Sequence, residues 1–239
     1  MLFGKIDYIN LLPFHLFLKK SSLQSSFKQA CERNKSFPAA INHKFRRRLV
    51  DAAFISSIES NRSSITPLSL GIVARKNVKS VIVKRGPAHT DPASATSNVL
   101  ARVLGIEGEV FIGDRALRLY LKEPSLYVDL AQEWHNRFNL PFVFARLCVT
   151  KHHTFFKKLS THFKNQRIKI PYYIAQNYAQ ERGIRVQDIK EYLSLISYAI
   201  ETKEQKGLKL FLKKARQLKQ CSEKKHQECV GTLPKRTQC

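Results

Sequence analysis

Acidic side chains are scarce in this chain. Eighteen Asp and Glu face 42 Lys and Arg, leaving a formal charge of +24 over 239 residues. That excess invites a nucleic-acid or anionic-surface reading. It is spread over Arg46-Arg47-Arg48, Lys151, Lys157-Lys158, the stretch 164–169 and the region from Lys203 onward. No recognisable nucleic-acid module accompanies it, so no nucleic-acid partner is expected. With only 9 glycines, the chain is poor in turns where backbone approaches a ligand closely. A Gly-x-x-x-x-Gly-Lys phosphate loop, a Gly-x-Gly-x-x-Gly turn after the first strand and a His-Glu-x-x-His zinc helix are all missing. No nucleotide cofactor is suggested.

Long apolar runs are also missing. Nothing approaches the roughly 18 uninterrupted apolar residues of a membrane helix. The opening Met1-Leu2-Phe3-Gly4-Lys5-Ile6-Asp7 places an acid in its first apolar run and lacks the basic, apolar, small-residue order of a signal peptide. A soluble, cytoplasmic protein without membrane insertion is expected. Five cysteines are an odd number, read as thiols in a reducing compartment. Cys221, His226 and Cys229 faintly suggest a metal site, but no Cys-x-x-Cys pair starts one, so no metal is expected. The histidines lack ligand spacing and read as packed or solvated.

What is present is 43% apolar residues, enough for one large domain or two small lobes. Short apolar runs alternate with amphipathic segments, the pattern of an α/β fold. Strands are expected at 2–9, 52–56, 71–74, 80–83, 109–112, 126–129 and 142–149, with helices at 11–19, 98–104, 115–121 and 131–138. From Tyr172 the chain reads as almost wholly helical. One helical face carries Ile189, Leu193, Ile196 and Ile200, the next Leu208, Phe211, Leu212, Ala215 and Leu218. The stretch 153–164 fits an amphipathic helix with Phe155, Leu159 and Phe163 inward. A boundary is expected at Arg85-Gly86-Pro87 and a return near Asn139-Leu140-Pro141. The first lobe is then 1–85 together with the mostly helical return 141–219, with a second, shortened lobe, 86–140, inserted between these two parts. Residues 220–239 form a basic tail expected to be disordered.

Four segments place polar residues where strands end, and open α/β sheets bind ligands beyond the carboxyl ends of their strands. In Ile6-Asp7-Tyr8-Ile9-Asn10-Leu11-Leu12-Pro13, Asn10 either caps the next helix or faces a ligand. In Asp51-Ala52-Ala53-Phe54-Ile55-Ser56-Ser57, two hydroxyls have the same choice. Ser94, Thr96 and Ser97 crowd a helix start, where free N–H groups and the helix dipole favour an anion, and Gly105 is the expected stop. In Glu109-Val110-Phe111-Ile112-Gly113-Asp114, Asp114 is a cap or a ligand contact.

These segments occur in order with Lys79-Ser80-Val81-Ile82-Val83, Ile112-Gly113-Asp114-Arg115-Ala116-Leu117, Asp129-Leu130-Ala131-Gln132-Glu133-Trp134 and Leu140-Pro141-Phe142-Val143-Phe144-Ala145. The series resembles the bacterial chorismate dehydratases of the futalosine route to menaquinone, over roughly residues 1–215. The resemblance implies a two-lobed fold similar to type II periplasmic binding proteins, with the ligand between the lobes. It implies a hydro-lyase that removes water from chorismate, a small-molecule dicarboxylate, to give 3-[(1-carboxyvinyl)oxy]benzoate, with no cofactor. By that resemblance Asn10 contacts the reacting part of the substrate and Ser80 sits on the opposing wall. Ser56, Ser57, Ser94, Thr96, Ser97 and Asp114 are the expected substrate contacts. No protein base stands out, which agrees with the substrate's own enolpyruvyl carboxylate acting as base. The stretch between Val83 and Ile112 looks shorter than in typical members. The alternatives are the sister enzyme that acts on cyclic dehypoxanthinyl futalosine and a non-catalytic anion-binding protein of the same fold; Asn10-Leu11-Leu12-Pro13 favours the dehydratase.

Overall fold

The first strand, β1 (Phe3–Ile6), is buried along its whole length. It runs parallel to the short β2 (Lys35–Ser36) on one side and to β3 (Ala52–Ser56) on the other. The structure, a computed structural model, describes residues 1–62 and 65–231, the stretch 221–231 by its backbone alone. Helices α1 (Leu12–Lys20), α2 (Ser25–Arg33) and α3 (Pro38–Arg46) make the parallel crossovers, as parallel pairing requires. Beyond β3 the sheet turns antiparallel through β8 (Phe142–Val149), β4 (Thr66–Ala74) and β9 (Ile196–Ala199), giving the order β2-β1-β3-β8-β4-β9.

A second, three-stranded antiparallel sheet has the order β6-β5-β7, with β5 at Val81–Arg85, β6 at Gly108–Ile112 and β7 at Tyr127–Asp129. Its helices are α4 (Ala95–Leu104), α5 (Gly113–Lys122) and α6 (Leu130–Phe138). The chain therefore changes sheet between Ala74 and Val81, earlier than the expected Arg85-Gly86-Pro87. The strand that ends there, β5, pairs with β6 and β7 and cannot belong to the first sheet. The return lies between Phe138 and Phe142.

Helices α7 (His153–Lys164), α8 (Tyr172–Arg182) and α9 (Val186–Leu195) lead to β9 and then to α10 (Thr202–Gly231). Two expectations fail in this region. Ile196 and Ile200 do not continue the face of Ile189 and Leu193, because α9 ends at Leu195 and Ile196 opens an edge strand paired with β4. The segment from about Gln220 is helical as far as Gly231 instead of disordered, continuing α10; the rest of the tail, 232–239, lies outside the described residues. In α7 the fully buried ring is Phe156, with Leu159 and Phe163 beside it and Phe155 only partly covered.

The main apolar core runs through both sheets, with a small separate cluster of Ile82, Phe111 and Ala116 on the second. Phe3, Phe14, Phe54 and Phe156 pack under the first. Trp134 of α6 meets Phe142 of β8 and Phe211 of α10, joining helices of both halves. Among the described residues no helix is long and apolar enough to cross a membrane.

Candidate active-site cleft

The C-terminal ends of β1 and β3 and the start of β5 open on a narrow cleft between the two sheets, about 70 Å³ in volume. Its lining includes Tyr8, Asn10, Ser56, Ser80, Ser94 and Ser97 among apolar side chains such as Phe54, Ile72, Ile112 and Phe144. Five of the eight residues expected from sequence thus come together. No charged side chain lines the cleft among the described residues.

Asn10 sits in a single 3-10 turn, Ile9–Leu11, between β1 and α1. The helix that follows has Leu11 at its N-cap position and receives no side-chain cap, so Asn10 is not spent on capping. Its Oδ1 is buried with no hydrogen-bond partner among the described residues. A buried amide oxygen left unpaired costs on the order of 1–3 kcal/mol, a cost that a ligand donor would remove.

Ser80 is 1% exposed and lies 2.8 Å from the Tyr192 hydroxyl. Burial pushes the Tyr192 phenol well up, with the hydrogen bonds from Ser80 and Asn10 pulling the other way. On the far wall, Ser94 caps α4 by accepting from Ser97 N–H at 3.2 Å and donates to Ser97 Oγ at 2.7 Å. The first turn of α4 faces the cleft with that hydroxyl pair, the arrangement in which helix N–H groups attract an anion. Gly105 closes α4 in the left-handed conformation at φ 62°, as its sequence position predicts. Ser56 holds Asn42, whose Nδ2 donates to Ser56 Oγ at 3.1 Å.

Three expected contacts point elsewhere. Ser57 donates to Val143 O at 2.6 Å and is fully buried. Thr96 Oγ1 accepts from Ile58 N–H at 3.2 Å, tying α4 to the loop after β3. Asp114 neither caps α5 nor lines the cleft. It accepts from Ile9 N–H at 3.0 Å and from Arg182 Nε at 2.6 Å. Burial raises the Asp114 carboxyl above the usual carboxylate range, against the pull of those two donors. Arg182 also reaches Asp7 at 3.3 Å and stacks 4.1 Å over Tyr178. One guanidinium thereby joins the residue after β1 to α5 and α8 behind the Asn10 turn.

Residues that sequence reading passed over also shape the site. Tyr8 lines the cleft, and its phenol is pushed up to about 12 by burial and by the charges of Asp91 and Asp114. Gly113 lies against its ring: a Cβ there would fall 2.6 Å from Tyr8 Cζ, and the backbone φ is +66°. Tyr8 belongs to the same motif as Asn10, and its place at a strand end is the signal that could have found it. Tyr192 offers only helical spacing, which reads as core.

A family model described as menaquinone biosynthesis matches residues 104–217. A chorismate dehydratase from Campylobacter jejuni subsp. jejuni serotype O:23/36 (strain 81-176) is 48% identical over 220 residues, covering 91% of this chain and 99% of the relative. The chain belongs to the chorismate dehydratase family. Among solved structures, a crystal structure of an Archaeoglobus fulgidus protein superposes with TM-score 0.63 at 11% identity, covering 92% of this chain and 97% of its own. The likeness is one of fold. The alkanesulfonate-binding protein SsuA from Xanthomonas axonopodis pv. citri, bound to MOPS, gives TM-score 0.49 at 9% identity, covering 88% of this chain and 90% of its own. Among the described residues of this dehydratase-family chain, no group of three or more His, Cys, Asp or Glu could hold a metal ion; the side chains of Cys221, His226 and Cys229 lie outside them.

Proposed function

We propose that this protein is a hydro-lyase of the futalosine route to menaquinone that converts chorismate to 3-[(1-carboxyvinyl)oxy]benzoate in the cytoplasm. The two sheets form lobes around the substrate. The observation that carries the reading is the unpaired, buried Oδ1 of Asn10 in a cleft of hydroxyl groups, within a chain 48% identical to a chorismate dehydratase.

The chemistry asked of the protein is modest. Loss of the ring hydroxyl and a neighbouring ring proton yields water and an aromatic ring, so the chain must hold a dicarboxylate in the reactive conformation and stabilise charge as it develops. Ser94, Ser97 and the N–H groups of the first turn of α4 receive one carboxylate. Asn10 and Ser80 face the reacting ring, with Ser56 beside them. Ser57, Thr96 and Asp114 hold the walls in place and do not touch substrate. No Asp, Glu or His lines the cleft among the described residues, and Tyr8 is too weak an acid to be ionised near neutrality. That supports the substrate's enolpyruvyl carboxylate as the base that takes the ring proton.

The test is incubation of the purified protein with chorismate, following product by mass. A product lighter by one water and carrying a benzoate absorption is expected. Bound chorismate that stays intact overturns the reading.

A further inference from the structure

Residue 10 is gripped from the C-terminal segment by two phenols that do not line the cleft. Tyr192 of α9 is 2% exposed and lies 2.8 Å from Ser80 Oγ. The Asn10 side-chain amide acts on the same phenol as a hydrogen-bond donor, opposing the effect of burial. Tyr198 of β9 donates to the backbone carbonyl of Asn10 at 2.6 Å. On the other flank Ile9 N–H is held by Asp114. A lone 3-10 turn has few hydrogen bonds of its own, so these outside partners set where residue 10 stands.

A phenol has one proton to give and lone pairs to accept with. If Tyr192 gives its proton to Ser80 Oγ and accepts from the Asn10 amide N–H, two things follow. The Ser80 hydroxyl proton is free to point at a ligand, and Asn10 Oδ1 is turned away from Tyr192 and left unpaired, as it is found.

We propose that Tyr192 and Tyr198 are positioning residues for the dehydration, fixing Asn10 and Ser80 relative to each other at the cleft without touching substrate. The inference rests on the dehydratase reading above. A spacing that looks like plain helix packing thus carries the alignment of the site.

The test is steady-state kinetics with chorismate for Tyr192→Phe and Tyr198→Phe, each made in the wild type and in an Asn10→Ala background. Each change deletes one oxygen. In the wild-type background each lowers kcat about ten-fold with KM changed less than about two-fold, the pattern of a transition-state contact misaligned. In the Asn10→Ala background the same changes lower kcat less than about two-fold, because the residue through which they act is gone. Unchanged kcat in both single variants overturns the inference, and so do equal losses in the two backgrounds. Thermal unfolding is recorded for every variant; should Tyr192→Phe fail to fold, Tyr198→Phe decides the question by the same criteria. Absence of product with the wild-type protein overturns the dehydratase reading itself, a result distinct from either failure of the tyrosine variants.

Discussion

At the scale of single residues, the cleft gives up stability to keep groups available. Asn10 Oδ1 is the clearest case, since no group among the described residues pairs with it. Replacing Asn10 by Ala removes that unpaired oxygen, so thermal stability is expected to hold or rise while kcat falls about 100-fold, the usual scale for loss of one preorganised polar contact. Calorimetry and product assay on the same preparation check both halves. A parallel loss of stability and activity would mark Asn10 as structural. His15 behaves differently. Both ring nitrogens are buried without partners among the described residues, and its pKa is lowered to about 3 by burial, with the charge of Lys5 adding to the effect. The unfolded chain therefore binds a proton on His15 between about pH 6.5 and 3 that the folded chain refuses. Its contribution to stability is complete above about pH 6.5 and is lost as pH falls, by at most about 1.4 kcal/mol per pH unit. Urea denaturation from pH 7 to 4.5 should show a shallower decline for His15→Phe than for the wild type; equal slopes would contradict the assignment.

At the scale of elements, one carboxylate joins the chain crossing to the second sheet. Asp129, at the end of β7, accepts from Val78 and Lys79 N–H at 2.8 and 2.6 Å in the crossover segment, and from Ala131 and Gln132 N–H at 2.9 and 3.2 Å in the first turn of α6. Asp129→Ala strands these amides, with those of Val78 and Ala131 in buried surroundings, and should cost about 3 kcal/mol. It should also raise KM, because Ser80 follows directly on Lys79. Unfolding midpoints together with KM test this joint. The same scale shows where sequence was readable. Strands β3 and β8 fall where their apolar runs place them, since a buried strand is written as a continuous run. The two-residue β2 is too short to show any period. Helices α2 and α3 hide in polar composition, burying only Phe27, Ala30 and Cys31 in one and Ile41, Asn42 and Phe45 in the other. The spacing of Ile189, Leu193, Ile196 and Ile200 suits a helix but spans the end of α9 and all of β9, because a four-residue strand offers too little alternation to compete. The site was legible where strand ends carry hydroxyls and Asn10. It was illegible at Tyr192 and Tyr198, whose roles depend on contacts with the opposite end of the chain. Side-chain direction at strand ends escaped as well: Ser56 lines the cleft and its neighbour Ser57 is buried against β8.

At the scale of the whole molecule, the charge of +24 meets a cleft whose described lining contains no Lys or Arg. On the reading proposed above, a dicarboxylate there is held by hydroxyls and by the N–H groups of α4 rather than by an ion pair, so the excess charge acts on it from a distance. Not all of it is near the site. Residues 203–239 hold eleven Lys or Arg and three acids, 11 − 3 = +8, on α10 and beyond. The remaining excess of 24 − 8 = +16 is distributed over both sheets and their helices, and sets up a broad positive potential that raises the encounter rate of a dianion. Such a field is screened over about 10 Å at 0.1 M salt, whereas the short hydrogen bonds in a desolvated cleft are not. Raising sodium chloride from roughly 0.02 to 0.3 M should therefore lower kcat/KM for chorismate several-fold and leave kcat unchanged. Glycerol at fixed salt is the control, because it slows diffusion without screening charge and separates capture from turnover. Equal loss in kcat would place ions inside the cleft, competing for the N-terminus of α4. No salt dependence would mean that the basic surface has no part in substrate capture.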